Sequence, residues 1–317
     1  MTRRLALGLA LLVSIACRER PSRQPPDAGP SPPGARPADG GARSPDAGAK
    51  PPAAASKPAF TLADLAAAAA VDARFARLSA LAARYQMEIA TVPLERLNEQ
   101  TRRLDPVLDD AAAEAAVAAG GVSDPRDRAL AAPLVAAAGR WPALLRQSRA
   151  ERLAGTPGPA TAGLQTLGES VARALDAYRR SRSGWVLTAP PEDETAVAFT
   201  QARNELERVE NRIGAALPAG PGQPVSRLDQ GQIRAEIEVA VRRGRAAAAV
   251  VAGDRRPAAQ RWVEAQARSV EALLALTASP LEARQRMERS LAYQDAKADA
   301  LQALAEYARL AAARAAR

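Results

Sequence analysis

FTQARNELERVENRIGAA (Phe199–Ala216) carries Phe199, Ala202, Leu206, Val209, Ile213 and Ala216 in steps of 3, 4, 3, 4 and 3. That spacing returns each residue to one face of an α-helix and leaves most of the charged residues for the other. Ile233, Ile237, Ala240, Gly244, Ala247 and Val251 repeat the pattern, with Gly253 as its stop. Val263, Ala267, Val270, Leu274 and Thr277 follow it a third time. A fourth helix is expected from about Leu281 onward, with Leu291, Ala298, Leu301, Ala305, Ala308 and Ala312 as its stripe. Helices of roughly 25–37 residues would be about 37–55 Å long. Seams of this period pack as antiparallel bundles or coiled-coil hairpins.

Upstream, the same logic holds with more interruptions. Thr61 is placed to cap a helix whose stripe is Leu65, Phe75, Leu78, Ala82, Tyr85 and Ile89. Leu94, Leu97, Thr101, Leu104 and Leu108 form the next face, which Pro106 should kink or divide. Asp109–Ala119 continues as an alanine-rich piece ended by Gly120 and Gly121. Ser123 or Asp124 is the next N-cap, with Pro125 in the first turn. Pro133 and Pro142 predict that Arg126–Leu153 is at least two short pieces. Gly155–Gly163 reads as a loop, and Leu164–Ser181 as a helix burying Leu167, Val171, Leu175 and Tyr178. Ser183–Asp193 is a second strong break, with room for a hinge near residues 184–191. No strand alternation competes with these patterns. The expected fold is all-α: an alanine/leucine-rich antiparallel helical bundle, with long coiled-coil-like helices in its C-terminal half. Alanine at so many seam positions implies close helix approach and a shallow core, and aromatics are only 3% of the chain.

Composition removes several kinds of chemistry. There is no histidine in the 317 residues, which excludes Ser-His-Asp and Cys-His catalysis and imidazole ligation of metals or haem. The net charge of +9 and a pI near 10.6 invite a nucleic-acid reading. That sum misleads, because residues 1–58 hold nine basic and four acidic groups. Residues 59–317 are left at +4, with 35 basic groups facing 31 acidic ones. Such a mixed surface lacks the one-sided charge that a phosphate backbone requires. Arginine outnumbers lysine 41 to 3, a bias that a GC-rich genome produces without functional cause.

The start of the chain has a different grammar. Arg3 and Arg4 precede an apolar run, Leu5–Ile15, followed by Ala16 and Cys17. This is the layout of a secretory signal peptide, and about 11 apolar residues are too few to span a bilayer of ~30 Å. VSIAC resembles the lipobox of bacterial lipoproteins, in which a small residue precedes a cysteine; Ser14 departs from the aliphatic residue usual there. The resemblance covers residues 1–17. It implies diacylglyceryl attachment at the Cys17 thiol, cleavage before Cys17, and membrane attachment through that lipid. Cys17 is the single cysteine, so thiolate chemistry then disappears as well. Arg18 is not the aspartate that marks inner-membrane retention in many lipoproteins, so the resemblance places the protein at the outer membrane, facing the periplasm. Residues 17–59 are proline-, alanine- and glycine-rich without apolar periodicity, the composition of a disordered tether. The expected organisation is signal peptide 1–16, lipidated tether 17–59 and helical domain 60–317.

The sharpest local feature is an arginine-rich turn, RRGRAAAAVVAGDRRPAAQRW, with Arg242, Arg243, Arg245, Arg255, Arg256 and Arg261. Guanidinium forks suit phosphate and carboxylate, so an anionic envelope ligand is one expectation (a lipid head group, lipopolysaccharide or a wall polymer). A solvated basic turn balanced by Glu236, Glu238, Asp254 and Glu264 is the other. Asp109, Asp110 and Glu114, and Glu192, Asp193 and Glu194, sit where negative charge favours helix starts. Trp141, Trp185 and Trp262 are expected to pack at junctions, and the basic stretch Tyr307–Arg317 to cap a helix. No catalytic residue, metal site or cofactor is identified. The expected function is that of a structural or protein-interaction module of the envelope, without catalysis and without nucleic acid. The alternative is a binding module for an anionic envelope ligand at the arginine turn.

Overall fold

The computed structural model describes residues 59–156, 158–181, 186–187, 194–217, 228–277 and 281–316. The chain folds as an all-α helical bundle: α1 (Leu62–Thr91), α2 (Leu94–Arg102), α3 (Asp105–Gly120), α4 (Pro125–Leu153), α5 (Ala160–Arg180), α6 (Glu194–Ala216), α7 (Gln230–Val250), α8 (Arg256–Leu276) and α9 (Ala283–Ala315). A two-residue parallel pairing of Ala59–Phe60 with Val186–Leu187 is the only extended contact among the described residues. The break at Ser183–Asp193, and with it the expected hinge, lies outside the described residues except for Val186–Leu187.

Local chemistry sets the helix ends. The Thr61 hydroxyl accepts from the Asp64 amide at 3.2 Å, while the Asp64 carboxylate accepts from the Thr61 amide at 3.0 Å, a reciprocal capping box. Pro106 falls in the first turn of α3, where its missing N–H costs nothing, so it divides α2 from α3. The Asp124 side chain accepts from the Arg126 and Asp127 amides and starts α4.

α4 corrects one expectation. Pro133 and Pro142 do not divide it; Pro125–Leu153 is one helix of 29 residues with both prolines inside. An interior proline costs about 3 kcal/mol or more. Ala129, whose carbonyl Pro133 leaves unbonded, is exposed, so water can take that bond. Around both prolines, Leu134, Ala138, Trp141 and Leu145 are buried, and their packing offsets the lost hydrogen bonds.

Two apolar clusters form among the described residues. Phe75, Leu78, Leu97, Leu134, Trp141 and Tyr178 are central to the one built from α1–α5. Phe199, Leu206, Ile213, Ile237, Trp262 and Tyr293 are central to the one built from α6–α9. The two are joined by α1 and α9, which pack along each other more extensively than any other pair of helices. Val71, Phe75, Leu78, Ala82, Tyr85 and Ile89 turn one face of α1 into the first cluster. Its other buried positions, Ala68, Ala73, Ala80 and Ala83, are all alanine. α9 sends Tyr293, Ala300 and Ala303 into the second cluster and buries Leu291, Ala298 and Ala308 elsewhere. Small side chains let two helix backbones approach closely, as the alanine-rich seams anticipated. Arg84 of α1 reaches Asp295 of α9 at 2.6 Å across this junction.

Several seam positions differ from expectation. Leu65 and Leu94, at helix starts, are exposed. In α7, Ala248 rather than Ala247 is buried, and in α6 it is Glu210 rather than Val209 that lies fully inside. Gly244 lies where α7 comes nearest its neighbours: a Cβ there would stand 3.2 Å from Val263 and 3.4 Å from Leu206.

Candidate functional site

The most unusual group in the fold is the Glu210 carboxylate, which is only 5% exposed. It projects from the middle of α6, and two other helices supply its partners. Lys297 of α9 donates to Oε2 at 2.6 Å, and Gln266 of α8 donates to the same oxygen at 2.7 Å. The hydroxyls of Tyr293 (α9) and Ser269 (α8) donate to Oε1 at 3.0 and 3.3 Å. Burial pushes the Glu210 carboxyl upward. The Lys297 charge and the hydrogen bonds from Lys297, Gln266 and Tyr293 outweigh it and hold the group below the usual glutamate range. Glu210 is therefore an anion that binds α6 to α8 and α9.

A second node of the same composition lies in the N-terminal half. Asp105 opens α3, and its Oδ1 accepts from the Tyr85 hydroxyl of α1 at 3.0 Å. Its Oδ2 accepts from Arg149 of α4 at 2.9 Å, and Arg149 also reaches the Thr101 hydroxyl at 3.4 Å. Arg146 approaches Asp105 at 3.5 Å and pairs with Asp109. Burial and the hydrogen bond to a carboxylate push the Tyr85 phenol up to about 12.

The arginine-rich turn is brought together in sequence but dispersed in its bonding. Arg243 pairs with Glu205 of α6 at 3.1 Å, and Arg245 meets Glu264 of α8 with both fork arms, at 2.7 and 2.8 Å. Those hydrogen bonds hold Glu264 low and raise Arg245 further. Arg261 pairs with Glu306 of α9. Arg256 donates to the Val251 carbonyl at 3.0 Å. Arg255 is 6% exposed, with its guanidinium 5.6 Å above the Tyr307 ring, out of reach of a solvent-borne anion. Arg242 is exposed, and no carboxylate pairs with it among the described residues.

The other candidates resolve simply. Glu114 accepts from Arg74 and Arg77, both at 2.9 Å, so α3 is tied to α1. Asp110 is exposed, Glu194 opens α6, and Glu192 and Asp193 lie outside the described residues. Trp141 is buried mid-helix rather than at a junction. Trp262 packs edge-on against Phe199 at 5.6 Å; Trp185 and Cys17 lie outside the described residues. Comparison with protein-family models, with characterised proteins and with solved structures finds no match to this chain. Among the described residues no cluster of three acidic or sulfur ligands is placed for a metal, and no helix is long and apolar enough to cross a membrane.

Open grooves between helices among the described residues include one of about 510 Å³ along α6 and α7 and one of about 490 Å³ along α8 and α9. Neither is lined by Glu210 or Asp105. Sequence periodicity placed Tyr85 and Thr101 on buried faces but missed the carboxylates and cations of both nodes, because charged residues are read as surface. A usable signal was present: Glu210 lies four after Leu206 and three before Ile213, and Lys297 is the only lysine among residues 59–317.

Proposed function

We propose that this chain is a lipid-anchored envelope protein whose helical body is a structural or protein-interaction module, without catalysis. The carrying observation is how the shielded carboxylates among the described residues are used: Glu210 and Asp105 at the two nodes, and the buried Asp127, which accepts from the Ser181 hydroxyl at 2.8 Å. Glu210 and Asp105 are the natural candidates for acid–base work in a chain without histidine, and each is bound by a cation, a tyrosine and further donors from other helices. A general acid or base needs a substrate proton within hydrogen-bond reach, and neither groove is lined by these groups. What the surface offers instead is long helical ridges with shallow grooves between them, the shape that packs against another protein. The signal peptide, lipobox-like VSIAC and Pro/Ala/Gly-rich tether support attachment through Cys17 at the outer membrane, facing the periplasm.

The test is chemical crosslinking in intact cells followed by purification of the detergent-extracted native protein. A single partner recovered in stable ratio supports the module, and a chain that crosslinks to nothing at any concentration overturns it. Mass spectrometry of the mature N-terminus tests the anchor separately: an unmodified Cys17, or cleavage elsewhere, removes it. The alternative, an anionic envelope ligand at Arg242, Arg243, Arg245, Arg255, Arg256 and Arg261, requires the Glu205, Glu264 and Glu306 pairs to open and the buried Arg255 to be uncovered first.

A further inference from the structure

We infer that the groove between α6 and α7 docks an acidic amphipathic helix of the partner protein, an inference that rests on the interaction-module function proposed above. The groove is bracketed by two ion pairs that cross between the helices. Arg243 meets Glu205 at one end, and Arg212 meets Glu236 at 2.8 Å at the other. Those pairs lie seven residues apart on each helix, so the open stretch between them is about 10 Å long, two helical turns. Its floor is apolar, formed by Val209, Ala235 and Val239, and Val239 is 37% exposed.

The charge around this floor is one-sided. Both lining carboxylates, Glu205 and Glu236, are already paired, whereas Arg208 lines the groove and has no carboxylate partner among the described residues. Arg242, nearly one turn beyond Val239 on α7, is exposed and likewise without a carboxylate partner among them. Glu238 is exposed on the same helix, midway between Arg234 and Arg242 at four-residue spacings, so one carboxylate stands between two arginines there. With Arg208 added from α6, the uncompensated charge beside the groove is positive.

The α8–α9 groove is the internal control. It is nearly the same size, but its charges are closed within the molecule: Arg261 with Glu306, Arg268 with Asp299, and Glu264 with Arg245. Its floor is Ala265 and Ala303, with no larger apolar side chain to grip. Of the two grooves, that between α6 and α7 alone combines an apolar floor with unmet positive charge. A helix with one apolar side chain over Val209 and Val239, and carboxylates a turn away on each side, satisfies both.

The probes are two fluorescent three-heptad peptides with leucine at the seam positions and either glutamate or lysine at the flanks. They are titrated against the full chain in detergent by anisotropy. The glutamate peptide should bind about tenfold or more tightly than the lysine peptide. The double variant R208E/R242E should reverse that preference, and V239D should abolish binding of both. V117D, an exposed change on α3, should alter nothing, and circular dichroism of each variant checks that it folds. Equal binding of the two peptides, binding indifferent to V239D, or no binding at all overturns the inference. So does retention on phosphatidylglycerol vesicles that R208E/R242E abolishes while neither peptide binds, which would assign the groove to a lipid surface. If crosslinking recovers a partner that V239D does not release, the interaction module stands and this docking site falls.

Discussion

The two polar nodes use the same parts in different surroundings. Each has a carboxylate, a tyrosine hydroxyl, a cation and an alcohol: Asp105, Tyr85, Arg149 and Thr101 in one half, Glu210, Tyr293, Lys297 and Ser269 in the other. The difference is position along the helix. Asp105 opens α3, where free backbone amides favour negative charge, and its side chain keeps 21% of its exposure. Glu210 sits mid-helix with 6%, so side chains alone must replace the water it has lost. The first node can lose one partner and rehydrate; the second cannot.

The largest effect should therefore come from Lys297→Met. It leaves the Glu210 charge buried without its counter-ion, and about 3–5 kcal/mol of stability should be lost, read from the denaturant midpoint. The double variant Lys297→Met with Glu210→Leu should recover much of that, because the stranded charge has gone. A double variant no more stable than the single would show that the node matters through packing instead. The pH dependence provides a second reading of the same contrast. In the natural protein the Glu210 pKa is depressed, so its contribution is present above the unfolded glutamate value and is lost as pH falls through the folded one. In Lys297→Met, burial acts without its opposing cation and should raise that pKa. The variant's deficit should then shrink as pH falls from neutral toward about 5, and a deficit independent of pH would break the argument.

Arg149→Met is the matched change in the other half. Asp105 retains the Tyr85 hydroxyl, the nearby Arg146 and partial contact with water. A loss of about 1–2 kcal/mol is expected, clearly below that of Lys297→Met. Equal losses in the two variants would mean that burial does not distinguish the nodes.

The helices were largely legible in the sequence because apolar spacing is a direct record of which face is buried. Thr61, Asp124 and Pro106 marked helix starts by chemistry that acts within one turn. Pro133 and Pro142 misled because a local penalty was set against tertiary packing of Leu134, Trp141 and Leu145, which no local rule contains. The nodes were hidden for a related reason. A glutamate inside a seam looks like a surface residue until its partners on two other helices are known, and those lie 56 to 87 residues further along the chain. The arginine turn erred in the opposite direction: charges adjacent in sequence diverge to partners on α6, α8 and α9.

The smallest effect at neutral pH, and the most specific, belongs to Tyr85→Phe. It removes one hydrogen bond to a carboxylate that keeps its other partners, so about 1 kcal/mol is expected. The alkaline limb is the sharper measurement. The Tyr85 phenol is raised to about 12 by burial and by its bond to Asp105, whereas an unfolded tyrosine ionises near 10. Its stabilising contribution is complete below the unfolded value and is lost as pH rises through the folded one, because the unfolded chain releases that proton first. Stability of the natural protein should therefore fall between about pH 10 and 12, and Tyr85→Phe should flatten that part of the fall. Identical slopes in the two proteins would show that Tyr85 ionises as readily folded as unfolded, and the N-terminal node would then be as open to water as its position at a helix start allows.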